Sequence, residues 1–247
     1  MHFKGFETSF SLLQAYERLA LEYKQKQKPH DPISEGGKVR LSQNYGNYRY
    51  SLALLNLNAS IVEGALRSAL SEKIWDEVEE QVKLGISQGR TSKGPMEILL
   101  FRFQMEVDGQ GGWTKLKEQY ALWANVEFDK QISPAPREAV EVLFVLRNVL
   151  AHGGALLHPT EAVPDDVKDD AVAAWYRKLQ RARVYLEKVF GHDDVFKNLS
   201  EYSVPEHFLE QSKLYLKEVQ PLAQITPFRG KQTWDGLMDY HFGYSSL

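Results

Sequence analysis

Val145-Leu146-Arg147-Asn148-Val149-Leu150-Ala151-His152-Gly153-Gly154 is the stretch on which the reading of the fold turns. Just before it, seven of the eight residues from Ala139 to Leu146 are apolar, and Glu141 is the one interruption. A segment apolar nearly all round reads as a helix inside a protein. Ser133-Pro134-Ala135-Pro136 supplies its start, because serine caps a helix and proline is tolerated in a first turn. Gly153 supplies its stop. Arg147, Asn148 and His152 therefore gather at the far end of a buried helix, where an unpaired polar group costs roughly 2–7 kcal/mol to desolvate. A polar cluster in that position needs a reason.

Outward from this helix the chain reads as helix after helix. Phe6 to about Gln27 carries Phe10, Leu13, Leu19 and Tyr23 among polar residues, and Pro29 to Gly46 is a loop by its proline, glycine, serine and asparagine. Arg49 to about Leu84 is a long helical pattern. Its apolar stripe runs Leu55, Ala59, Val62, Leu66, Leu70, Ile74, Val78 and Val82, beside a polar line of Asn56, Ser60, Glu63 and Arg67. Gly85 to Pro95 breaks it as a basic loop with Arg90 and Lys93. Met96–Val107 and Trp113–Trp123 are two shorter helices separated by a glycine-rich turn at Gly109–Gly112. Val167–Phe190 and Pro205–Val219 complete the set, and the tail from Pro221 is aromatic but without period. No run of alternating strand residues and no internal repeat is present. The expectation is an all-α fold: a helical domain over residues 1–220 with an insertion at about 85–133, then a C-terminal extension over 221–247.

Composition narrows the function classes. The chain has 247 residues, 43% hydrophobic and 26% charged, as an ordinary globular protein does. It contains no cysteine, which removes disulfides, thiolate nucleophiles and Cys-ligated zinc. A net charge of −3 argues against a protein that coats nucleic acid nonspecifically, while leaving room for a local basic groove. The first residues lack the pattern of a signal peptide and no apolar run reaches the roughly 18 residues needed to cross a bilayer, so a cytoplasmic location without a membrane partner is expected.

The polar cluster suggests chemistry. Asn148 and His152 stand four residues apart and share a helix face, whereas Arg147 and His152 converge only if the last turn unwinds toward Gly153-Gly154 or if both flank one cleft. His152 lies at the negative end of the helix dipole, a position that favours a protonated imidazole. A histidine exchanging a proton beside a fixed guanidinium suits work on a phosphate. In RNA the nucleophile is the ribose 2′-OH, so no metal or other cofactor is required. The reaction wants a base and an acid, and a twofold homodimer joining two such helix ends supplies two histidines and two arginines.

Arg147-Asn148-Val149-Leu150-Ala151-His152 resembles the Arg-x4–6-His motif, with asparagine directly after arginine, of the HEPN superfamily. The helix from Leu54 to Arg67 resembles that family's earlier helix, where an acidic or polar residue faces the motif. The likeness covers about residues 49–84 and 134–154. It implies a bundle of four or five helices, a dimer, and a metal-independent endoribonuclease of the kind found in toxin–antitoxin, abortive-infection and antiviral defence systems, with an antitoxin or another defence protein as partner. By this matching Arg147 and His152 are the catalytic pair, Asn148 shapes the site, and Glu63 is the acidic partner.

Blander readings stand beside these. Cationic residues at a helix end also satisfy terminal carbonyls. Glu63 is placed to form an i,i+4 ion pair with Arg67. Arg177, Lys178, Arg181 and Arg183, with Arg67, form a basic set that fits RNA backbone, with Trp175 or Tyr176 stacking on a base; the same residues fit a solvated helix face. His158 reads as a loop residue, and His192-Asp193-Asp194 lacks a second histidine at ligand spacing, so no metal is assigned. The alternative function is a non-catalytic helical module that dimerises or binds a partner or a nucleotide.

Overall fold

A computed structural model of the chain describes residues 7–26, 42–109, 111–151, 171–225 and 231–244, with the side chains of 42–47, 49, 151 and 171–178 left aside. Among the described residues there are ten helices and no strand, so the fold is all-α. They are α1 (Thr8–Gln25), α2 (Ser42–Ser87), α3 (Pro95–Gly109), α4 (Trp113–Ala124), α5 (Phe128–Gln131), α6 (Pro134–Ala151), α7 (Ala171–Phe190), α8 (Val195–Ser200), α9 (Val204–Leu222) and α10 (Lys231–Asp239). Contacts divide them into two compact units.

The first unit comprises Met1–Leu13, Ser60–Ile132 and Leu216–Asp239. The stripe Val62, Leu66, Leu70 and Ile74 of α2 is buried, as its 3–4 spacing demands. Gly64 lets α1 approach closely: a Cβ there would stand 2.7 Å from that of Ser9. Ser9 in turn meets the Thr233 hydroxyl at 2.9 Å, while the Thr233 N–H donates to the Glu7 carboxylate. The Tyr120 hydroxyl donates to the Leu66 carbonyl at 2.6 Å and ties α4 to α2.

The sequence places the end of α2 at Gly85, but the helix runs through it. Gly89 adopts the left-handed conformation (φ 74°), Arg90 N–H donates to the Gly85 carbonyl and Gly89 N–H to that of Ile86. This is the Schellman pattern of a glycine-stopped helix. Gly85 instead makes room for the Arg90 guanidinium, which folds back and grips the Glu97 carboxylate at 2.9 and 3.2 Å. Burial raises the pKa of Glu97, but its own backbone N–H, Arg90 and Gly94 N–H outweigh that and leave the carboxyl below its ordinary value.

The second unit comprises Gln14–Ala59, Ser133–Tyr215 and Tyr240–Leu247. Its core is rich in tyrosine. Tyr16 packs edge-on to Tyr240 and Phe242, and its hydroxyl donates to the Pro205 carbonyl. One face of α1 continues from Tyr16 to Tyr23, which stacks between Tyr50 and Tyr202. Tyr240 and Phe242 are thus core residues, whereas Tyr244 is exposed: Lys24 Nζ donates to the Phe242 carbonyl and lies 3.9 Å from the Tyr244 ring centroid, and Lys213 Nζ donates to Tyr240 O. Short α8 is capped by Asp194, whose carboxylate accepts from Phe196 N–H. Behind it, buried Asn198 exchanges two hydrogen bonds with the His192 backbone.

Asn58 is out of keeping with this core. It is 1% exposed, and among the described residues neither its amide nitrogen nor its oxygen meets a partner. A buried polar group left unsatisfied costs about 1–3 kcal/mol. Replacing it by a near-isosteric hydrocarbon removes that cost, so Asn58→Leu is expected to raise the melting temperature by about 2–10 °C. A drop in melting temperature on thermal unfolding would show that the amide has a partner in solution.

Candidate functional site

Helix α6 begins as its sequence dictates. Ser133 is the cap, its carbonyl accepting from Arg137 N–H, and Pro134 and Pro136 occupy the first turn. The helix buries Ala139, Val140, Val142, Leu143, Phe144, Leu146 and Val149 and packs against α7. It is nevertheless not buried all round, because one line of residues faces out. Glu138 and Asn148 are exposed, with Glu141 and Val145 half-buried between them. Counting apolar residues missed this line because their angular placement, at offsets of 3, 7 and 10 from Glu138, decides which side is wet.

Arg147 and Asn148 are consecutive in the last turn of α6. Arg147 is half-buried, its guanidinium carbon 5.3 Å from the Phe144 ring centroid, a cation–π contact one turn back along the same helix. This draws the guanidinium back along the helix, over the preceding turn. Asn148 presents its amide to solvent. His152 and His158 lie outside the described residues.

Glu63 and Arg67 belong to the first unit, on α2. They form the i,i+4 ion pair at 2.7 Å, with side chains only 15% and 16% exposed. This is no solvated face. Arg67 also donates to the carbonyls of Val107 and Gly111, so one guanidinium serves a carboxylate and two backbone oxygens. Gly111, at φ 88°, is the turn residue that brings its carbonyl there. The arrangement holds the α3–α4 turn against α2.

On the basic helix α7 the described side chains begin at Leu179. Arg181 is exposed and Arg183 half-buried, while Leu179, Ala182, Tyr185 and Leu186 face inward. The side chains of Arg177, Lys178, Trp175 and Tyr176 lie outside the described residues. Among the described residues no three His, Asp or Glu side chains stand close enough to hold a metal ion. None of the described helices is long and apolar enough to cross a membrane.

One pair escaped the sequence reading. The Tyr185 hydroxyl lies 2.7 Å from His207 Nε2, and the imidazole is flanked by Phe190 and Phe208. The two residues come from α7 and α9, and no spacing in sequence signals the meeting. No protein-family model, curated protein or solved structure matches this chain.

Burial among these rings lowers the His207 pKa from 6.5, because the charged imidazolium is disfavoured there. The unfolded chain then binds the proton more readily than the folded one. The contribution of His207 to stability is complete above pH 6.5 and is lost as the pH falls through the lowered folded value. NMR titration of its ring protons should give a midpoint below 6.5, and urea unfolding from pH 8 to 5 should show wild type losing stability relative to His207→Gln. A midpoint at or above 6.5 would contradict the burial argument.

Proposed function

We propose that this chain is a metal-independent endoribonuclease of the HEPN type, acting as a cytoplasmic homodimer whose composite site joins two α6 ends, in a toxin or defence setting. The observation that carries the reading is the sequence motif Arg147-Asn148-x3-His152, whose first two residues stand in the last turn of α6, with Arg147 steadied over Phe144 and Asn148 open to solvent. A guanidinium held by an aromatic ring and a neighbouring exposed amide are suited to a phosphodiester arriving from solvent.

In the proposed reaction one His152 accepts the proton of a ribose 2′-OH as that oxygen attacks the adjacent phosphorus. The bond from phosphorus to the 5′ oxygen breaks, and that oxygen leaves as a hydroxyl after taking a proton from the second His152. The products are a 2′,3′-cyclic phosphate and a 5′-OH end. Arg147 neutralises charge growing on the non-bridging oxygens. Asn148 orients the phosphate, and the basic residues of α7, Arg177, Lys178, Arg181 and Arg183, hold the flanking backbone. Glu63 enters only as the partner of Arg67.

The test incubates end-labelled RNA with wild type in excess EDTA. Cleavage leaving cyclic phosphate ends is expected, with His152→Ala slower by about 100- to 10,000-fold and Arg147→Ala by about 100- to 1,000-fold. Equal cleavage by wild type and His152→Ala sinks the proposal, and so does loss of cleavage on adding EDTA.

A further inference from the structure

Charge is spread unevenly along the α6–α7 pair. From Val142 to the end of α6 the one charged residue is Arg147, and from Ala171 to Leu186 of α7 the charged residues are Arg177, Lys178, Arg181 and Arg183. No acid interrupts them. The acids stand elsewhere, Glu138 and Glu141 early in α6 and Glu187 late in α7, where Arg137 and Lys188 accompany them.

The packing brings like halves together. The two helices lie against one another in the second unit, and Lys188 Nζ stands 3.9 Å from the Glu138 carboxylate. Because α7 ends at Phe190, the rest of α6 meets the earlier part of α7, and the pair runs antiparallel. The same ion pair shows which outward lines share an edge. On α6 the line runs Glu138, Glu141, Val145 and Asn148. On α7, at offsets of 4 and 7 back from Lys188, it runs through exposed Val184 and Arg181. Arg181 therefore stands level with Val145, about 10 Å along the edge from Lys188 and toward the end that bears Arg147 and Asn148. It is exposed, and among the described residues no carboxylate pairs with it. Lys188 lies on the same line and is exposed too, but Glu138 neutralises it.

Resting on the ribonuclease reading, we propose that Arg181 is the outermost phosphate-positioning residue of that site, and that the Glu138–Lys188 pair with Glu141 closes the edge beyond it. A polyanion is attracted to the basic half, whereas a phosphate moved past Arg181 meets two carboxylates and a lysine already paired. An RNA strand accordingly crosses the α6 end and does not run down the length of the pair. Arg181 touches no reacting atom; it holds the strand beside the site.

Fluorescence anisotropy with a labelled 2′-O-methyl RNA of about 12 nucleotides reads binding without cleavage, because a methylated 2′ oxygen has no proton to lose. Salt is varied from about 50 to about 200 mM. Arg181→Gln should weaken binding about tenfold and lower the slope of log affinity against log salt by about 0.7, the loss of one phosphate contact on a single strand. Lys188→Gln should change neither, and Glu138→Lys, which extends the basic edge, should steepen the slope by about 0.7. Helical circular dichroism should be unchanged in all three, since these side chains are exposed. Equal losses on Lys188→Gln and Arg181→Gln overturn the boundary, and an Arg181→Gln protein that binds like wild type overturns the contact. If wild type binds no RNA, this inference falls together with the ribonuclease reading. Binding in the expected pattern while unmodified RNA stays intact sinks the ribonuclease reading alone.

Discussion

Burying the middle of α2 is the constraint on which the rest depends. From Leu54 to Ile74 most side chains of this helix are removed from water, on more than one side. A helix buried this way must be surrounded, and both units draw on it: residues up to Ala59 for one and from Ser60 for the other. Each unit meets the demand differently. The first surrounds α2 with short helices pinned by polar contacts, such as Tyr120 to the Leu66 carbonyl and Arg67 to the α3–α4 turn. The second uses aromatic mass, with tyrosines from α1, α2 and the chain after α8 stacked on one another. Polar pinning gives position at little net energy, because each hydrogen bond replaces one to water. Aromatic packing supplies the larger hydrophobic term.

Much of the fold was legible because it rests on local rules. The α2 stripe, the Ser133 cap with its two prolines, and the turn at Gly109–Gly112 follow from spacing and from what serine, proline and glycine do to a backbone. What was not legible depends on partners far away in sequence. The short helices α5 and α8 are held by their neighbours, since a segment of four or six residues has too few internal bonds to persist alone. The tail shows no long period because it is shared between the units: Trp234 and Leu237 of short α10 are buried in the first, Tyr240 and Phe242 in the second. Helix α3 is hard to read for the same reason: its buried side carries Glu97 and Gln104 beside Val107, and their partners, Arg90 and Ser71, lie outside the helix.

The candidate site was legible in part. Arg147 and Asn148 share the final turn of α6, as the sequence implies, and the contact of Arg147 with Phe144 follows from their spacing of three. That Asn148 faces water does not follow from composition. The pairing of Glu63 with Arg67 was open to sequence, but its shelter under the α3–α4 turn was not, because that rests on the Gly111 backbone.

The distance along the chain between partners has a consequence for how the protein comes into being. Ser9 and Thr233 meet across 224 residues, and Lys24 reaches the Phe242 carbonyl across 218. At synthesis rates of about 5–20 residues per second, α1 emerges roughly 10 to 45 s before the segments that complete its surroundings. During that interval its buried tyrosines have no final place. The nascent chain is therefore a substrate for holding factors, and a ribosome stalled anywhere before Trp234 releases a product that lacks part of both cores.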